Sequence, residues 1–224
     1  MWGCNGQNVC MDLATRIGAD AMRDDVPVRA ASTIILVRDV ETRPAVLMGQ
    51  RGKGAIFMPH KYVFPGGAVD DADEGERLVS PLDPRSRRLL SLEVGEVDVS
   101  PEALVVAAIR ELSEETGLVL ERPDALRFFL RAITPPGRPR RFDARFFLAP
   151  AEAVRGGPDA DFYDSDELSR LHWVPLVDVR ALDLANVTAM VLDRLASHLP
   201  SLETPDRVPL VRNDRIEDRV IWLG

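Results

Sequence analysis

The sequence predicts an α/β protein, an α/β/α sandwich in which helices cover both faces of a mixed β-sheet. Two observations carry this prediction. Short runs rich in β-branched and aromatic residues are typical of strands, and longer segments with apolar residues at helical spacing lie between and after them. The chain has 224 residues, of which 46% are hydrophobic, so one domain with a sizeable core is expected.

The predicted strands begin with a hairpin. Residues 31–38 (ASTIILVR) are apolar and β-branched, which indicates a buried strand. Residues 45–50 (AVLMGQ) follow after a short turn and complete the hairpin. Four further runs have strand character, namely residues 62–64, 126–132, 142–148 and 171–175.

The clearest helix signal covers residues 101–116. Ser100 suits the N-cap, Pro101 suits the first helical position, and Gly117 suits the stop. The apolar face of this helix consists of Leu104, Val105, Ala108, Ile109 and Leu112. Weaker patterns predict helices at residues 85–92 and 187–199.

The chain divides into three parts by pattern. Residues 1–26 are a polar N-terminal extension, residues 27–199 form the main domain, and residues 200–224 form a C-terminal tail. A polar insertion at about residues 71–99 interrupts the main domain, and connections of this length are usually functional or mobile. The end of the tail, residues 220–223, is too apolar for free coil. It is expected to pack on the core or on a second subunit, which would make a homodimer.

Composition excludes several functional classes. The formal net charge of −8 argues against a nucleic-acid-binding surface. No apolar run reaches the length of a membrane span. Two cysteines, Cys4 and Cys10, make neither a disulfide framework nor a zinc site. We therefore expect a soluble cytoplasmic protein without a membrane partner.

The segment Arg110–Leu118 (RELSEETGL) concentrates three carboxylates on one helix face. At about 100° per residue, Glu111 and Glu115 lie ~40° apart, and Glu114 lies ~60° to the other side of Glu111. Like charges at this spacing destabilise a helix slightly, and hard cations such as Mg²⁺ offset that repulsion. The alternative is a solvated acidic face on which Arg110 pairs with Glu114.

This segment resembles the second half of the Nudix signature, G-x5-E-x7-R-E-U-x-E-E-x-G-U, in which U is aliphatic. Upstream, residues 63–67 (VFPGG) resemble the entry to the same motif. A long insertion, residues 68–109, separates the two halves here. Three residues are candidates for the upstream glutamate of the motif: Glu102, which has the E-x7-R spacing, Glu74 and Glu76.

A branch with such an insertion, related to peroxisomal coenzyme A diphosphatases, is similar to this chain in three further places. They are residues 57–59 (FMP), residues 133–136 (ITPP) and residues 140–147 (RRFDARFF). The chain departs from the usual motif of that branch at Phe57 and at His60 or Lys61.

The resemblance implies a Nudix-type fold and a nucleotide substrate. The expected reaction is hydrolysis of a nucleoside diphosphate linked to another group, with coenzyme A or an acyl-coenzyme A favoured. ADP-ribose or dinucleotides are the alternative substrates, and a non-catalytic nucleotide-sensing module is the alternative class. Glu111, Glu114 and Glu115, with the Gly67 carbonyl, would hold Mg²⁺ or Mn²⁺, and Arg110 would hold a glutamate in position.

The remaining site residues are less constrained by the motif. The proton acceptor is either a helix glutamate or a carboxylate on a later loop, where Asp164, Asp166 and Glu167 are available. Arg51, Arg140 and Arg141, together with Arg138, could meet substrate phosphates through their planar guanidinium groups. The insertion is expected to be a surface excursion that borders the substrate cleft.

Overall fold

One mixed β-sheet forms the centre of the molecule. The computed structural model describes residues 26–52, 54, 58–92, 97–212 and 219–224. Its nine strands are β1 (Val28–Arg38), β2 (Ala45–Arg51), β3 (Tyr62–Val63), β4 (Gly66–Ala68), β5 (Arg127–Ile133), β6 (Arg141–Pro150), β7 (Leu168–Pro175), β8 (Val208–Arg212) and β9 (Arg219–Leu223). The main strand order is β3-β2-β1-β6-β5-β8-β9.

The strand directions make the sheet mixed, as predicted. Strand β1 runs parallel to β6, β5 runs parallel to β8, and the other pairs are antiparallel. One edge of β1 is shared: β2 pairs with it at Val37 and Arg38, while β4 pairs with residues 31–33. Beyond this point β2 diverges and pairs with β3 and β7. The split places the glycine-rich β4 beside the middle of β1.

In the part of the chain that the structure describes, three α-helices cover the two faces of the sheet. They are α1 (Pro84–Leu90), α2 (Pro101–Thr116) and α3 (Asn186–His198). Helices α1 and α2 bury their apolar residues in one core cluster, with Ile34, Leu36 and Phe147 of the sheet. Helix α3 packs on the opposite face in a second cluster, with Ile35, Val37 and Leu148. The predicted α/β/α arrangement is confirmed.

Helix α2 begins and ends where the sequence signals place it. The Ser100 hydroxyl accepts a hydrogen bond from the Ala103 N–H at 3.0 Å, which satisfies one free N–H of the first turn. Gly117 ends the helix with φ of 75°, a left-handed conformation that glycine adopts without steric cost. The helix therefore presents residues 110–115 at a fixed position near its C-terminal end.

The predicted insertion leaves and rejoins the domain at one point. The Glu74 carboxylate accepts hydrogen bonds from the Ser100 N–H at 3.0 Å and the Ser100 hydroxyl at 2.9 Å. Between these residues, helix α1 buries Leu89 and Leu90 in the same core cluster as α2. The prediction of a surface excursion is wrong for this helix, because its apolar face completes the core.

The C-terminal tail is part of the sheet. Strand β8 pairs with β5 and β9 pairs with β8. Leu223 is buried in the first core cluster, and the Arg194 guanidinium lies 5.3 Å from the centre of the Trp222 ring. The apolar end thus packs on the core, the first of the two outcomes expected. A homodimer stays a prediction.

The segment RRFDARFF contributes a buried ionic network to the sheet. Arg131 of β5 donates two hydrogen bonds to Asp143 of β6, at 2.7 and 2.6 Å. Arg145 lies 3.1 Å from the same carboxylate, and burial lowers the pKa of Arg145 to about 10. All three residues are buried. This part of the motif therefore joins two strands.

Some predictions fall outside the described residues. These are nearly all of the N-terminal extension, with both cysteines, and Phe57. Within the described ranges, no helix is long and apolar enough to cross a membrane.

Truncation of a buried residue in α1 tests whether the insertion belongs to the core. Leu89 is fully buried, and Leu89→Ala should cost about 2–5 kcal/mol of unfolding free energy because it leaves a cavity. In a chain of this size the Tm should fall by roughly 5–15 °C. The matched control is Val79→Ala, since Val79 is 84% exposed in the same insertion. Equal Tm values for the two variants would contradict the assignment.

Candidate active site

The candidate site lies where strand β4 meets helix α2. Gly67 faces the helix so closely that a Cβ atom there would lie 2.3 Å from the Glu111 Oε1 atom. Any larger residue would displace the carboxylate. The Glu115 carboxylate accepts a hydrogen bond from the Gly66 N–H at 2.8 Å. The two glycines thus bring the main chain into direct contact with two of the predicted glutamates.

Arg110 organises the acidic side chains around it. Its Nε and Nη2 atoms donate to the two oxygens of Asp73 at 3.0 and 2.9 Å. Its Nη1 atom donates to Glu111 at 2.9 Å and to Glu114 at 3.0 Å. Its Nη2 atom also donates to the Ala68 carbonyl at 3.0 Å. All five N–H donors of the guanidinium are used, so Arg110 fixes the loop after β4 against the helix.

Asp73 is the site residue that the sequence analysis missed. Its side chain is 3% exposed. Burial would raise its pKa, but Arg110 and the Asp70 N–H hold the pKa of Asp73 below its usual value. A signal for it existed: the sixth residue after Gly67 has the G-x5-E spacing, and that residue is Asp73. The match was overlooked because this position of the motif calls for glutamate and the chain has aspartate.

None of the three proposed upstream glutamates forms a hydrogen bond or ion pair with Arg110 within the described structure. Glu74 binds Ser100, and Glu76 is exposed. Glu102 pairs with Arg87 at 3.0 Å. It lies in the first turn of α2, about 12 Å along the helix axis from Arg110. These predictions are corrected in favour of Asp73.

Glu111 and Glu115 occupy an environment that disfavours negative charge. Burial raises the pKa of Glu115 to about 8, and the neighbouring Glu111 charge adds to this effect. Burial also raises the pKa of Glu111, although Arg110 opposes it. Glu114 differs, because its side chain is 59% exposed beside Arg110. The buried Glu115 and the partly buried Glu111 are therefore short of compensating positive charge.

The donor set fits a hard divalent cation. Within the described residues, no three acidic side chains stand in a ready-made metal-binding group, because Arg110 holds Glu111 and Glu114 while Glu115 turns to Gly66. Each of these three carboxylates nevertheless uses only one oxygen in the hydrogen bonds above. Oxygen ligands in a small number suit Mg²⁺, which also retains water and binds substrate phosphate. A cation would also relieve the charge deficit at Glu111 and Glu115.

Arg51, at the end of strand β2, and Glu167, in the loop before β7, are charged residues that act on the helix glutamates. Burial is the largest cause of the raised pKa values of Glu111 and Glu115, and the Glu167 charge is a smaller cause that raises both. Arg51 lowers the pKa of Glu115. Arg51 Nη2 lies 4.0 Å from a Glu167 oxygen. The Arg51 Nε atom is buried and has no hydrogen-bond partner among the described residues. Arg51 is therefore suited to receive a phosphate oxygen.

The other loop carboxylates are placed differently. Both oxygens of Asp164 accept main-chain N–H groups, from Arg170 at 2.8 Å and Leu171 at 2.9 Å. Asp166 is exposed. Of the three loop candidates for the proton acceptor, Glu167 is the one whose charge acts on both helix glutamates.

Arg140 and Arg141 lie apart from the helix glutamates. Arg141 pairs with Val28 of β1, four residues from Ser32, which is paired with Gly67. This separation is about 13 Å along the strand. Arg141 is buried and donates to the Thr134 carbonyl at 3.2 Å, whereas Arg140 is exposed. Neither residue is placed to contact a diphosphate bound at the helix glutamates. The exposed side chain of Arg140 could still contact a part of the substrate that lies further from the diphosphate.

Comparison with known proteins agrees with this architecture. The family model described as NUDIX domain matches residues 86–195. This range includes the whole of α2 with its Arg110–Glu115 cluster. Residues 86–195 are thus similar to a NUDIX domain. The match begins after Gly67, so the assignment of Gly66 and Gly67 to the site depends only on their contacts with Glu115 and Glu111.

The similar proteins include one curated relative and several solved structures. "Putative nudix hydrolase 7" of Caenorhabditis elegans is 31% identical over 160 residues, covering 65% of this chain and 51% of that protein. The chain thus spans about half the length of this relative. The crystal structure of a NUDIX hydrolase from Alicyclobacillus acidocaldarius has a TM-score of 0.58 at 22% identity, covering 80% of this chain and 99% of the other.

A third similarity is to the NUDIX domain of Shewanella oneidensis NrtR, solved in complex with ADP ribose. Its TM-score is 0.52 at 15% identity, and the match covers 77% of this chain and 89% of that chain. At such identities the structural likeness establishes the fold alone. The predicted Nudix-type α/β fold is confirmed.

The raised pKa of Glu115 predicts how the stability of the metal-free protein varies with pH. The folded protein binds the Glu115 proton more tightly than the unfolded chain does, so protonation of Glu115 stabilises the fold. This stabilisation is complete below about pH 4.5 and is lost as pH rises through about 8. Glu115→Gln stays neutral and keeps an acceptor for the Gly66 N–H. With a chelator present, the variant should therefore exceed the wild type in Tm at pH 8–9, and the gain should shrink towards pH 5.

The control for this measurement is Glu114→Gln, which removes a carboxylate from the same helix at an exposed position. Added Mg²⁺ should reduce the gain of Glu115→Gln, because the cation would stabilise the ionised carboxylate. A Tm difference between wild type and Glu115→Gln that is constant from pH 5 to pH 9 would contradict the electrostatic account.

Proposed function

We propose that this chain is a divalent-metal-dependent hydrolase that cleaves the diphosphate of a nucleoside diphosphate linked to another group. The observation that carries the proposal is the arrangement at α2. Arg110 holds Glu111 and Glu114 on the helix that carries the buried Glu115, while Glu111 lies against Gly67 and Glu115 binds the Gly66 N–H. The NUDIX domain match supports the same reaction class.

Glu111, Glu114 and Glu115 would hold Mg²⁺ or Mn²⁺, with the Gly67 carbonyl as a neutral ligand. A divalent cation supplies charge neutralisation of the diphosphate and makes water a better nucleophile at neutral pH. Arg110 keeps the glutamates in place through its hydrogen bonds. Arg51 orients the diphosphate by donating to a phosphate oxygen.

Glu167 is proposed as the proton acceptor. Water attacks one phosphorus atom, and the bond from that atom to the bridging oxygen breaks. The products are two phosphate monoesters, and Glu167 receives the proton that the water loses. A positioned base typically contributes 10²–10⁴-fold to such a reaction. The support for Glu167 is that its charge acts on both Glu111 and Glu115, and that its carbonyl is bound by the Gly52 N–H at the end of β2.

The finer proposal is that coenzyme A or an acyl-coenzyme A is the substrate. The exposed guanidinium of Arg140 supports it, because coenzyme A carries a 3′-phosphate at a distance from its diphosphate. Arg140 lies one residue beyond Arg141, so its main chain is roughly 17 Å along the sheet from Gly67, and its long side chain could bind that phosphate through two parallel hydrogen bonds. ADP-ribose is the second candidate, favoured by the ADP ribose complex of the similar NrtR domain.

A substrate panel tests the activity and its specificity together. Coenzyme A, its analogue without the 3′-phosphate, ADP-ribose and a dinucleotide are incubated with Mg²⁺ or Mn²⁺, and release of the nucleotide product is measured, which is adenosine 3′,5′-bisphosphate for coenzyme A and AMP for ADP-ribose. We expect turnover that a chelator abolishes, with kcat/KM highest for coenzyme A. A tenfold or greater preference for ADP-ribose, about 1.4 kcal/mol in the transition state, would reject coenzyme A and leave the reaction class intact.

Site variants show whether α2 performs the reaction. Glu111→Gln and Glu115→Gln should each lower kcat/KM by at least ~10²-fold with folding retained, since each removes a charged ligand. The control is Glu152→Gln, at an exposed position far along the chain. Near-normal turnover in both helix variants would contradict the site. Nucleotide binding without turnover in the wild type would favour a nucleotide-sensing module.

A further inference from the structure

The segment that carries Glu167 contains an irregularity in the sheet. Strands β2 and β7 pair at Met48 with His172 and at Gln50 with Ser169, so two residues of β7 lie opposite the single residue Gly49. This is a β-bulge, a feature that re-aims the neighbouring chain. A Cβ atom on Gly49 would lie 2.5 Å from the Leu168 side chain, so the bulged strand packs directly against glycine.

Asp164 holds the bulge in its unusual conformation. Arg170 has φ of 54°, in the left-handed region that residues with large side chains rarely adopt. The two oxygens of Asp164 accept the N–H groups of Arg170 and Leu171 at 2.8 and 2.9 Å. One carboxylate therefore binds both main-chain donors exposed by the bulge, and spans six to seven residues of chain.

The loop between Asp164 and Arg170 is a closed turn. Ser165 N–H donates to the Leu168 carbonyl at 2.9 Å, and Leu168 N–H donates to the Ser165 hydroxyl at 3.1 Å. Glu167 lies within this turn, and its carbonyl accepts the Gly52 N–H at 3.2 Å. The turn thus has two supports, the end of β2 on one side and Asp164 on the other.

The chain before Asp164 is tied to the helix of the glutamates. Tyr163 N–H donates to the Thr116 carbonyl at 3.1 Å. The Tyr163 ring covers Gly117, where a Cβ atom would lie 2.1 Å from the ring. Asp164 therefore connects two structures whose relative position matters: the C-terminal end of α2, and the turn with Glu167.

We propose that Asp164 is a positioning residue that holds the left-handed Arg170 bulge and thereby sets the Ser165–Leu168 turn so that Glu167 faces Glu111 and Glu115. This role rests on the proposed hydrolysis, in which Glu167 accepts the proton. Asp164 itself contacts no reacting atom. Its loss should reduce turnover with little effect on substrate affinity, because Arg51 and the helix glutamates remain in place.

A double-mutant cycle separates positioning from a general structural effect. Asp164→Ala should lower kcat by about 10- to 100-fold, the usual result of a small displacement of a reacting group, with KM changed less than about threefold. In a Glu167→Gln background, Asp164→Ala should have almost no further effect, since the group it positions is already lost. The matched control is Asp161→Ala, an exposed acidic residue of the same segment.

Two further variants guard against misfolding. Asp164→Asn keeps one carbonyl acceptor and should retain more turnover than Asp164→Ala. Arg170→Gly in the Asp164→Ala background should restore part of the lost kcat, because glycine adopts positive φ freely. Independent, multiplicative losses from Asp164→Ala and Glu167→Gln would overturn the proposal, and so would unchanged kcat in Asp164→Ala.

Amide hydrogen exchange tests the placement without any need for activity. In Asp164→Ala, exchange at Arg170 and Leu171 should accelerate relative to wild type, together with Leu168 in the adjoining turn. Unchanged exchange at these amides would overturn the proposal even in a protein that hydrolyses every substrate offered. Accelerated exchange in a protein that hydrolyses none would support the role of Asp164 and contradict the proposed function alone.

Discussion

The guanidinium of Arg110 is the interaction on which the arrangement of the site depends. It binds Asp73 twice, the Ala68 carbonyl once, and the helix residues Glu111 and Glu114. The Asp73 hydrogen bonds are the largest contribution to a raised pKa for Arg110, so the charge persists at any working pH. If the guanidinium were removed, the carboxylate of Asp73 would be left buried without a cation, which is strongly destabilising. One side chain therefore joins the loop after β4, helix α2 and the acidic cluster.

The acidic residues near Arg110 carry more negative charge than this one guanidinium offsets, which lowers the stability of the fold. Arg110 offsets Asp73 and part of Glu111, but Glu115 lies beyond its hydrogen bonds and has a raised pKa because it is buried. A protein selected for stability alone would be expected to place an apolar residue there. Functional sites commonly depart from such local rules. The deficit is of the kind that a divalent cation offsets, which links the electrostatics of these glutamates to the proposed chemistry.

Local signals in the sequence were sufficient for helix α2, because Ser100, Pro101 and Gly117 act within a few residues of the helix ends they define. They also sufficed for the β1–β2 hairpin. They did not reveal strand β8, whose pairing with β5 joins residues far apart in the chain, or strand β9, which pairs with β8. A helix was predicted at the position of α1, but the polar composition of the insertion concealed that its few apolar residues are buried in the core.

Some residues of the site could likewise be predicted from the sequence, whereas others depend on the fold. Glu111, Glu114, Glu115 and Gly67 were predicted from one motif, and the structure brings them together. Asp73 was overlooked because the motif calls for glutamate, and the shorter aspartate reaches Arg110 only through the turn at residues 70–73. Arg141 was misjudged because its contact with the Thr134 carbonyl depends on strand register. The sequence could not show that Asp164 differs from Asp166 and Glu167, because its hydrogen bonds to the Arg170 and Leu171 N–H groups depend on the bulge in β7.

The most direct test of this account is the affinity of Arg110→Lys for Mn²⁺, measured by titration in the absence of nucleotide. Lysine keeps the positive charge but cannot make the paired hydrogen bonds to Asp73 or reach Glu111 and Glu114 together. The account predicts that the variant stays folded and binds Mn²⁺ about 10- to 100-fold more weakly than the wild type. Arg87→Lys, which alters the exposed ion pair with Glu102, should bind as the wild type does. Equal Mn²⁺ affinity in Arg110→Lys and the wild type would contradict the claim that Arg110 organises the site.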